Sequence, residues 1–244
     1  MVKILTYFFA IFLLFGCKNE EKSSNETLNA SENSIKKEEI FGIVIHGGAG
    51  TILKENMSDS LEAAYKAKLK EAISAGHEIL KNGGTSLEAV THTINVMEDS
   101  PLFNAGKGSV FTHEGSNELD ASIMDGATLN AGAVAGIKHI KNPVNLARDV
   151  MQKSEHVMLY GAGAEEFAQN LGYKMMDTSY FYTKNRYESL QKVLEKEKSK
   201  NEKKISFEDS YIKNSKFGTV GCAALDKHGN LAAGTSTGGM TNKR

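Results

Sequence analysis

Hydroxyl side chains are concentrated near the end of the chain, on two segments that the pattern predicts to be the strands of one hairpin. Thr219 opens the first strand, and Thr235-Ser236-Thr237 closes the second. A turn at 227–229 would bring Thr219 close to Thr237. A hydroxyl that accepts a hydrogen bond from its neighbour can orient it, which favours nucleophilic chemistry at this place.

The bond between Gly218 and Thr219 is a candidate cleavage site. Cutting it would free the α-amine of Thr219 beside its own hydroxyl, and an α-amine titrates at about pH 7.7–8.0, so it can act as a base without a histidine. Glycine before the cut tolerates the strained backbone that attack on its carbonyl requires. An ordinary threonine-rich strand remains the alternative on these residues alone.

Alternating helices and strands must position these hydroxyls. A buried strand at 41–45 precedes a glycine loop at 46–50, and a long amphipathic helix follows at 61–80. Thr85 and Glu88 form a capping box that starts the next helix. Further strands are predicted at 119–126, 131–136 and 157–160, and further helices at 164–171 and from an Asn142-Pro143 start. A layered α+β sandwich fits this order.

The segment 184–218 differs from the rest in composition. Lys and Glu dominate it and apolar residues become rare, so we expect a solvated linker that is helical at its start.

Composition and spacing argue against several classes of function. The net charge of −1 and the lack of a basic stripe offer no surface for nucleic acid. The glycine loops at 46–50, 106–109 and 161–166 each lack part of a phosphate-binding pattern. The histidines are scattered without zinc-ligand spacing. A small, roughly neutral ligand is therefore the expected partner.

The first residues are typical of an export signal. A basic start and an apolar run too short to span a membrane cover 1–16, and the run ends before Cys17 in a pattern resembling a bacterial lipobox. Lipidation of Cys17 would leave Cys222 unpaired and tether the protein to the cell envelope, periplasmic or surface-exposed, through a disordered segment at 17–39. An ordinary secretory signal with an incidental cysteine is the alternative.

Long blocks of the chain, in order, resemble the plant-type asparaginase/isoaspartyl peptidase family. These blocks are Ile43-Val44-Ile45-His46-Gly47-Gly48-Ala49-Gly50, Pro101-Leu102-Phe103-Asn104-Ala105-Gly106-Lys107-Gly108-Ser109-Val110, Glu118-Leu119-Asp120-Ala121-Ser122-Ile123-Met124-Asp125-Gly126, Gly218-Thr219-Val220-Gly221 and Ala232-Ala233-Gly234-Thr235-Ser236-Thr237-Gly238-Gly239-Met240-Thr241-Asn242-Lys243. The resemblance implies the four-layer αββα sandwich of N-terminal-nucleophile hydrolases. It also implies an α part with its core at 40–183, the linker 184–218, and a β part that starts at Thr219.

The resemblance also implies the roles of site residues. Thr219 is the nucleophile and base, Thr237 assists its hydroxyl, Thr235 lies in the same wall, and Asn104 lies beside the nucleophile. A structural sodium ion would be held by a loop, mostly through backbone carbonyls; its residues are Met97, Glu98, Ser100, Phe103, Ala105 and Lys107. Helix-end solvation is the alternative reading of Glu98 and Asp99. Catalysis would need no cofactor, and the complete protein would form a dimer of αβ heterodimers.

The reaction implied is hydrolysis of the side-chain amide of L-asparagine or of a β-aspartyl peptide. In the family, an arginine, an aspartate and a later Thr-Gly pair complete the pocket beyond the position of Arg244, so we expect the chain as given to be an inactive fragment. Two alternatives remain: a glycosylasparaginase of the same superfamily, which Gly218 and Gly238-Gly239 disfavour, and a non-enzymatic surface lipoprotein that uses the fold for binding.

Overall fold

A computed structural model describes residues 40–48, 57–200 and 218–244; the predicted signal, Cys17 and the tether lie outside this part. Its helices are α1 (Asp59–Lys81), α2 (Ser86–Glu98), α3 (Pro143–Lys153), α4 (Gly161–Asn170) and α5 (Lys184–Lys200), with short 3₁₀ turns at Gly106–Gly108 and Thr178–Phe181. Its strands are β1 (Gly42–His46), β2 (Leu119–Asp125), β3 (Ala131–Ile137), β4 (Met158–Tyr160), β5 (Val220–Leu225) and β6 (Leu231–Thr237). No helix within these ranges is long and apolar enough to cross a bilayer.

The six strands form one sheet in the order β1-β5-β6-β2-β3-β4, antiparallel except for the β3–β4 pair. Side chains alternate between its faces, as a period of two requires. One face is buried and apolar, with Ala121, Ile123, Val134 and Val220 in the core. On β6, Thr235 and Thr237 therefore fall on the opposite face, whereas Ser236 between them faces the core.

Helices cover the buried face of the sheet. α2 packs against β5 and β6, α3 packs against β2 and β3, and α1 packs along α2 and β1. The α+β class is confirmed. The described residues build one helical layer and one sheet of the predicted four layers, and a second sheet and its helices are not among them.

The starts of α2 and α3 test two predictions that were made from local sequence. The capping box of Thr85 and Glu88 is confirmed, with both hydrogen bonds present. The Asn142-Pro143 start of α3 is confirmed, with Asn142 at the N-cap and Pro143 in the first turn. The Asn142 side chain makes no cap hydrogen bond and donates to Asp99. The backbone N–H of Val144 donates to the Glu98 carboxylate at 3.0 Å, so a carboxyl from the preceding helix supplies the acceptor at this helix start.

The start of the predicted linker is more ordered and more buried than its composition indicates. It forms α5, which confirms the predicted helical start, but Leu190 on this helix is only 1% exposed. The rings of Tyr182 and Tyr187 pack edge-on against Phe111 at 5.9 and 5.5 Å. This part of the linker is therefore docked on the core.

Asp226 fastens the turn of the β5–β6 hairpin to α2. Its buried carboxylate accepts a hydrogen bond from the backbone N–H of Ser86, in the first turn of α2, at 3.0 Å. It also accepts the N–H groups of His228 and Asn230 within its own turn. Burial alone would raise the pKa of Asp226, but these hydrogen bonds outweigh burial and lower it. The ionised side chain thus sets the position of the hairpin against the helix.

We predict that Asp226→Ala lowers the free energy of unfolding by about 2–3 kcal/mol, because three backbone donors, one of them buried, lose a charged acceptor. Since the folded pKa is lowered, this stabilisation is present above the unfolded pKa and is lost as the pH falls through the folded value. Denaturant unfolding measured from neutral to acidic pH tests both points. Asp59→Ala, at an exposed carboxylate in the first turn of α1, is the control; an equal loss in both variants would contradict the prediction.

Candidate active site

Thr219 and Thr237 meet at the open end of the hairpin. The register pairs Val220 with Ser236, so Thr219 lies beside Thr237 on the sheet face that the helices leave free. The Thr219 hydroxyl donates to the Thr237 hydroxyl over 3.2 Å. The Thr237 oxygen also accepts the backbone N–H of Gly239 at 3.0 Å. Two donors therefore converge on the Thr237 oxygen, and the bond to this acceptor orients the Thr219 hydroxyl.

Asn104 joins the loop after α2 to the segment that follows Thr237. Its Nδ2 donates to the Gly239 carbonyl at 2.8 Å, and its Oδ1 accepts the Val110 N–H at 2.9 Å. Its own carbonyl accepts the Gly238 N–H at 3.1 Å. The side chain is 6% exposed, so these bonds replace those that water would otherwise supply.

Two glycines allow Asn104 to lie this close. A Cβ at Gly218 would stand 2.9 Å from both Cβ and Nδ2 of Asn104, and a Cβ at Gly238 would stand 2.6 Å from its Oδ1. The predicted cleavage site is therefore packed directly on Asn104. The predicted neighbourhood of Gly218, Thr219, Thr237 and Asn104 is brought together.

Thr235 lies apart from this cluster. Its hydroxyl shares a hydrogen bond of 3.0 Å with Ser122, its register partner on the adjacent strand β2. Thr235 also lines an open, mostly apolar depression of about 520 Å³ on the free face of the sheet, whose lining does not include Thr219 or Thr237. A direct catalytic contact by Thr235 remains a prediction.

The loop predicted to hold sodium is mostly buried. Its residues Met97, Glu98, Ser100, Phe103 and Ala105 are buried, while Lys107 is partly exposed. The Glu98 carbonyl lies against Gly106, and the Phe103 carbonyl lies against Gly108, leaving no room for a Cβ at either glycine. A hard cation prefers oxygen ligands, and the sodium site stays a prediction. The described residues hold no cluster of three or more His, Cys, Asp or Glu side chains that could bind a metal.

The Glu98 carboxyl is fully buried where α2 ends. Burial raises its pKa to about 8, and the nearby Ser236 hydroxyl and the Val144 N–H only partly oppose this shift. At neutral pH the group is therefore mainly a neutral carboxylic acid. Ser236 stands between Thr235 and Thr237 on the inward face of β6, so this acid lies on the opposite side of the strand from the threonine pair.

Arg186, on α5, is a contact that the sequence reasoning missed. Its Nε donates to the Gly108 carbonyl at 3.1 Å, and an Nη donates to the Leu102 carbonyl at 3.4 Å. Burial lowers the pKa of its guanidinium. The Lys- and Glu-rich surroundings of Arg186 hid it, because nothing in the composition separates one inward-facing cation from many solvated ones. It ties α5 to the loop that carries Asn104.

Lys243 is a second contact that sequence reasoning missed. Its ammonium donates to the Glu118 carbonyl at 2.9 Å and lies 3.6 Å from the Asp120 carboxylate. Asp120 is the register partner of Thr237. The positive charge is thus held one strand away from the hydroxyl pair. In the sequence, the only indication that Lys243 lies near the site was its place at the end of the block that resembles the family.

A hydroxyl pair at a strand start, preceded by a tightly packed glycine, is the arrangement expected of an N-terminal-nucleophile hydrolase before cleavage. The asparaginase family model Asparaginase_2 matches residues 39–244. The chain is 46% identical to an isoaspartyl peptidase of Salmonella typhimurium over 202 residues, and 43% identical to a plant-type L-asparaginase of Pyrococcus furiosus over 202 residues. Each match covers 82% of this chain and 63% or 64% of the relative. The chain belongs to this asparaginase family.

We predict that Glu98→Gln removes a pH dependence of stability. The folded state keeps a proton on Glu98 up to about pH 8, whereas the unfolded chain releases it near 4.5. Stability should therefore fall as the pH rises through this window and level off above it. Glutamine keeps an acceptor for the Val144 N–H and cannot titrate.

Thermal or denaturant unfolding between pH 4 and 9 checks this expectation, with Glu114→Gln at an exposed site as the matched control. The same slope in wild type and Glu98→Gln would show that Glu98 does not titrate in this window.

Proposed function

We propose that the protein is made as a precursor, cuts itself between Gly218 and Thr219, and then hydrolyses the side-chain amide of L-asparagine and β-aspartyl peptides. The observation that carries this proposal is the 3.2 Å hydrogen bond from the Thr219 hydroxyl to Thr237, made while Gly218 rests on Asn104. The names of the relatives, isoaspartyl peptidase and plant-type L-asparaginase, support the same chemistry.

Cleavage of the precursor would begin with the Thr219 hydroxyl. Its oxygen attacks the Gly218 carbonyl carbon, an ester forms, and the C–N bond to Thr219 breaks as the nitrogen takes up the hydroxyl proton. Water then hydrolyses the ester and releases the Gly218 carboxylate. Thr237 accepts a hydrogen bond from the attacking hydroxyl, and Asn104 limits movement of the glycine on which attack occurs.

Substrate hydrolysis would use the same oxygen with a new base. The freed α-amine takes the Thr219 hydroxyl proton while the oxygen attacks the amide carbon of the substrate. The amide C–N bond breaks, the leaving nitrogen takes the proton, and a β-aspartyl ester of Thr219 remains. Water, deprotonated by the amine, hydrolyses that ester and restores the hydroxyl.

A structural sodium ion in the 97–107 loop is part of the proposal. The support is the resemblance of these residues to a loop rich in backbone carbonyls, which suit a hard cation, and the ion would stiffen the loop that bears Asn104. A lower melting temperature in choline chloride than in sodium chloride is the sign expected of such a site. We further propose that the mature protein assembles as a dimer of αβ heterodimers.

We propose an envelope location through a lipid on Cys17, in the periplasm or on the outer surface. The support is the basic and apolar start followed by the lipobox-like segment before Cys17. Cys17→Ser should move the protein from the detergent phase to the aqueous phase in a detergent partition, because the thiol that accepts the lipid is lost. Equal partitioning of wild type and variant would favour an ordinary secretory signal.

The central prediction is that Thr219→Ala abolishes both cleavage and hydrolysis, because it removes the attacking oxygen. The complete reading frame is expressed, and the subunits are weighed by mass spectrometry. Wild type should yield a fragment that begins at Thr219, and Thr219→Ala should stay intact. Thr178→Ala, at an exposed threonine far from Thr219 in the sequence, is the control and should be cleaved like the wild type. Intact wild type after prolonged incubation would refute the precursor proposal.

The substrate is tested on the processed protein. Ammonia release from L-asparagine is compared with hydrolysis of β-aspartyl-leucine and of a glycosylated asparagine. Comparable rates on the first two and little on the third are expected. A strong preference for the glycosylated substrate would instead assign the protein as a glycosylasparaginase.

A further inference from the structure

Asn242 holds the end of the loop that follows Thr237. It lies in the left-handed region with φ of 67°, a conformation that asparagine tolerates better than most residues. Its backbone N–H and both polar atoms of its side chain make hydrogen bonds. Its backbone N–H donates to the Phe111 carbonyl at 2.9 Å, its Oδ1 lies 2.7 Å from His113 Nδ1, and its Nδ2 donates to Glu197 Oε1 at 2.7 Å.

Glu197, which accepts the hydrogen bond from the Asn242 side chain, belongs to α5. The same carboxylate lies 3.4 Å from Arg244. A charge-assisted hydrogen bond of 2.7 Å is of the stronger kind and fixes the amide orientation of Asn242, so that Oδ1 must face His113. α5 is itself fixed to the core at its other end by Arg186. Glu197, whose side chain is 40% exposed, therefore connects Asn242 to a helix that is itself attached to the core.

The loop between Thr237 and Asn242 touches the proposed catalytic groups. Gly239 donates its N–H to the Thr237 hydroxyl and accepts the Asn104 side-chain amide at its carbonyl. The turn after it is closed by the Lys243 N–H, which donates to the Met240 carbonyl at 3.2 Å. The loop is thus held at Gly239 by Asn104 and at Asn242 by Phe111, His113 and Glu197 of α5. Loss of Glu197 would leave the Asn242 Nδ2 without its acceptor and so loosen the peptide that orients Thr237.

We propose that Glu197 is a positioning residue, which acts through Asn242 on the Gly239 amide and so on the Thr237 hydroxyl. This inference rests on the proposed function, in which Thr237 orients the nucleophile. Glu197 precedes the proposed cut and Asn242 follows it. Their hydrogen bond would accordingly join the two subunits after cleavage and keep the site aligned once the chain is no longer continuous.

The test uses the complete protein and three changes on one helix. Glu197→Ala removes the acceptor, Glu197→Gln keeps an Oε1 acceptor but drops the charge that faces Arg244, and Glu195→Ala makes the matched change at an exposed position of α5. The rate of cleavage and the kcat and KM for β-aspartyl-leucine are measured, together with hydrogen exchange of peptides covering 238–243.

We expect Glu197→Ala to lower kcat and the cleavage rate roughly 10-fold to 100-fold with KM changed less than about two-fold, since orientation and not substrate binding is lost. Exchange in 238–243 should rise in the same variant. Glu197→Gln should restore most of both properties, and Glu195→Ala should match wild type.

Unchanged exchange at 238–243 in Glu197→Ala would overturn the inference whether or not the wild type is active. Raised exchange with wild-type kcat would also overturn it, because the contact would then be structural only. A wild type that neither cleaves nor hydrolyses would refute the proposed function, and would do so independently of the variants.

Discussion

The arrangement of the site depends on the hydrogen bonds of one buried side chain, Asn104. Its side-chain Nδ2 donates to the Gly239 carbonyl, and its backbone carbonyl accepts the Gly238 N–H. Its Oδ1 accepts the N–H of Val110 in its own loop. The segments on either side of the proposed cut converge on it, because Gly218 and Gly238 both press against it without a Cβ. A larger residue at either glycine would separate the threonine pair from the loop that supports it.

Two buried carboxyl groups set the framework around this contact, and they do so in opposite protonation states. Asp226 takes three backbone N–H groups, which favour the charged form and lower its pKa. Glu98 receives fewer donors in a fully buried place, so burial prevails and its pKa rises to about 8. Asp226 binds the start of α2 and Glu98 binds the start of α3, and in each case the partners are far apart in the sequence. The helices that back the sheet are thus positioned by long-range contacts.

Helix α5 gives a charged segment a structural task. Its composition is that of a solvated linker, yet Arg186 and Glu197 contact the two loops that flank the threonine pair. Surface ion pairs contribute little to stability. These contacts differ because Arg186 binds backbone carbonyls and Glu197 binds the partly buried side-chain amide of Asn242, which are charge-assisted hydrogen bonds of defined geometry. The helix that leads to the proposed cleavage segment is therefore also a support of the site.

Much of the fold and the centre of the site could be read from the sequence alone. Periodicity placed α1 and the hairpin strands, the Thr85–Glu88 box placed the start of α2, and ordered motif blocks identified the family, because these signals are local or recur as fixed strings. The acceptor at the start of α3, the burial of Leu190 and the roles of Arg186 and Lys243 could not be read in this way. Each depends on which distant group arrives at a given place, as when Glu98 accepts the Val144 N–H while the Asn142 side chain binds Asp99. The pairing of Thr235 with Ser122 was decided by the register between β6 and β2, which only the assembled sheet specifies. The sequence by itself determined which residues could do the chemistry, and the tertiary structure decided which of them meet, because hydrogen-bond geometry and burial arise only when remote segments pack together.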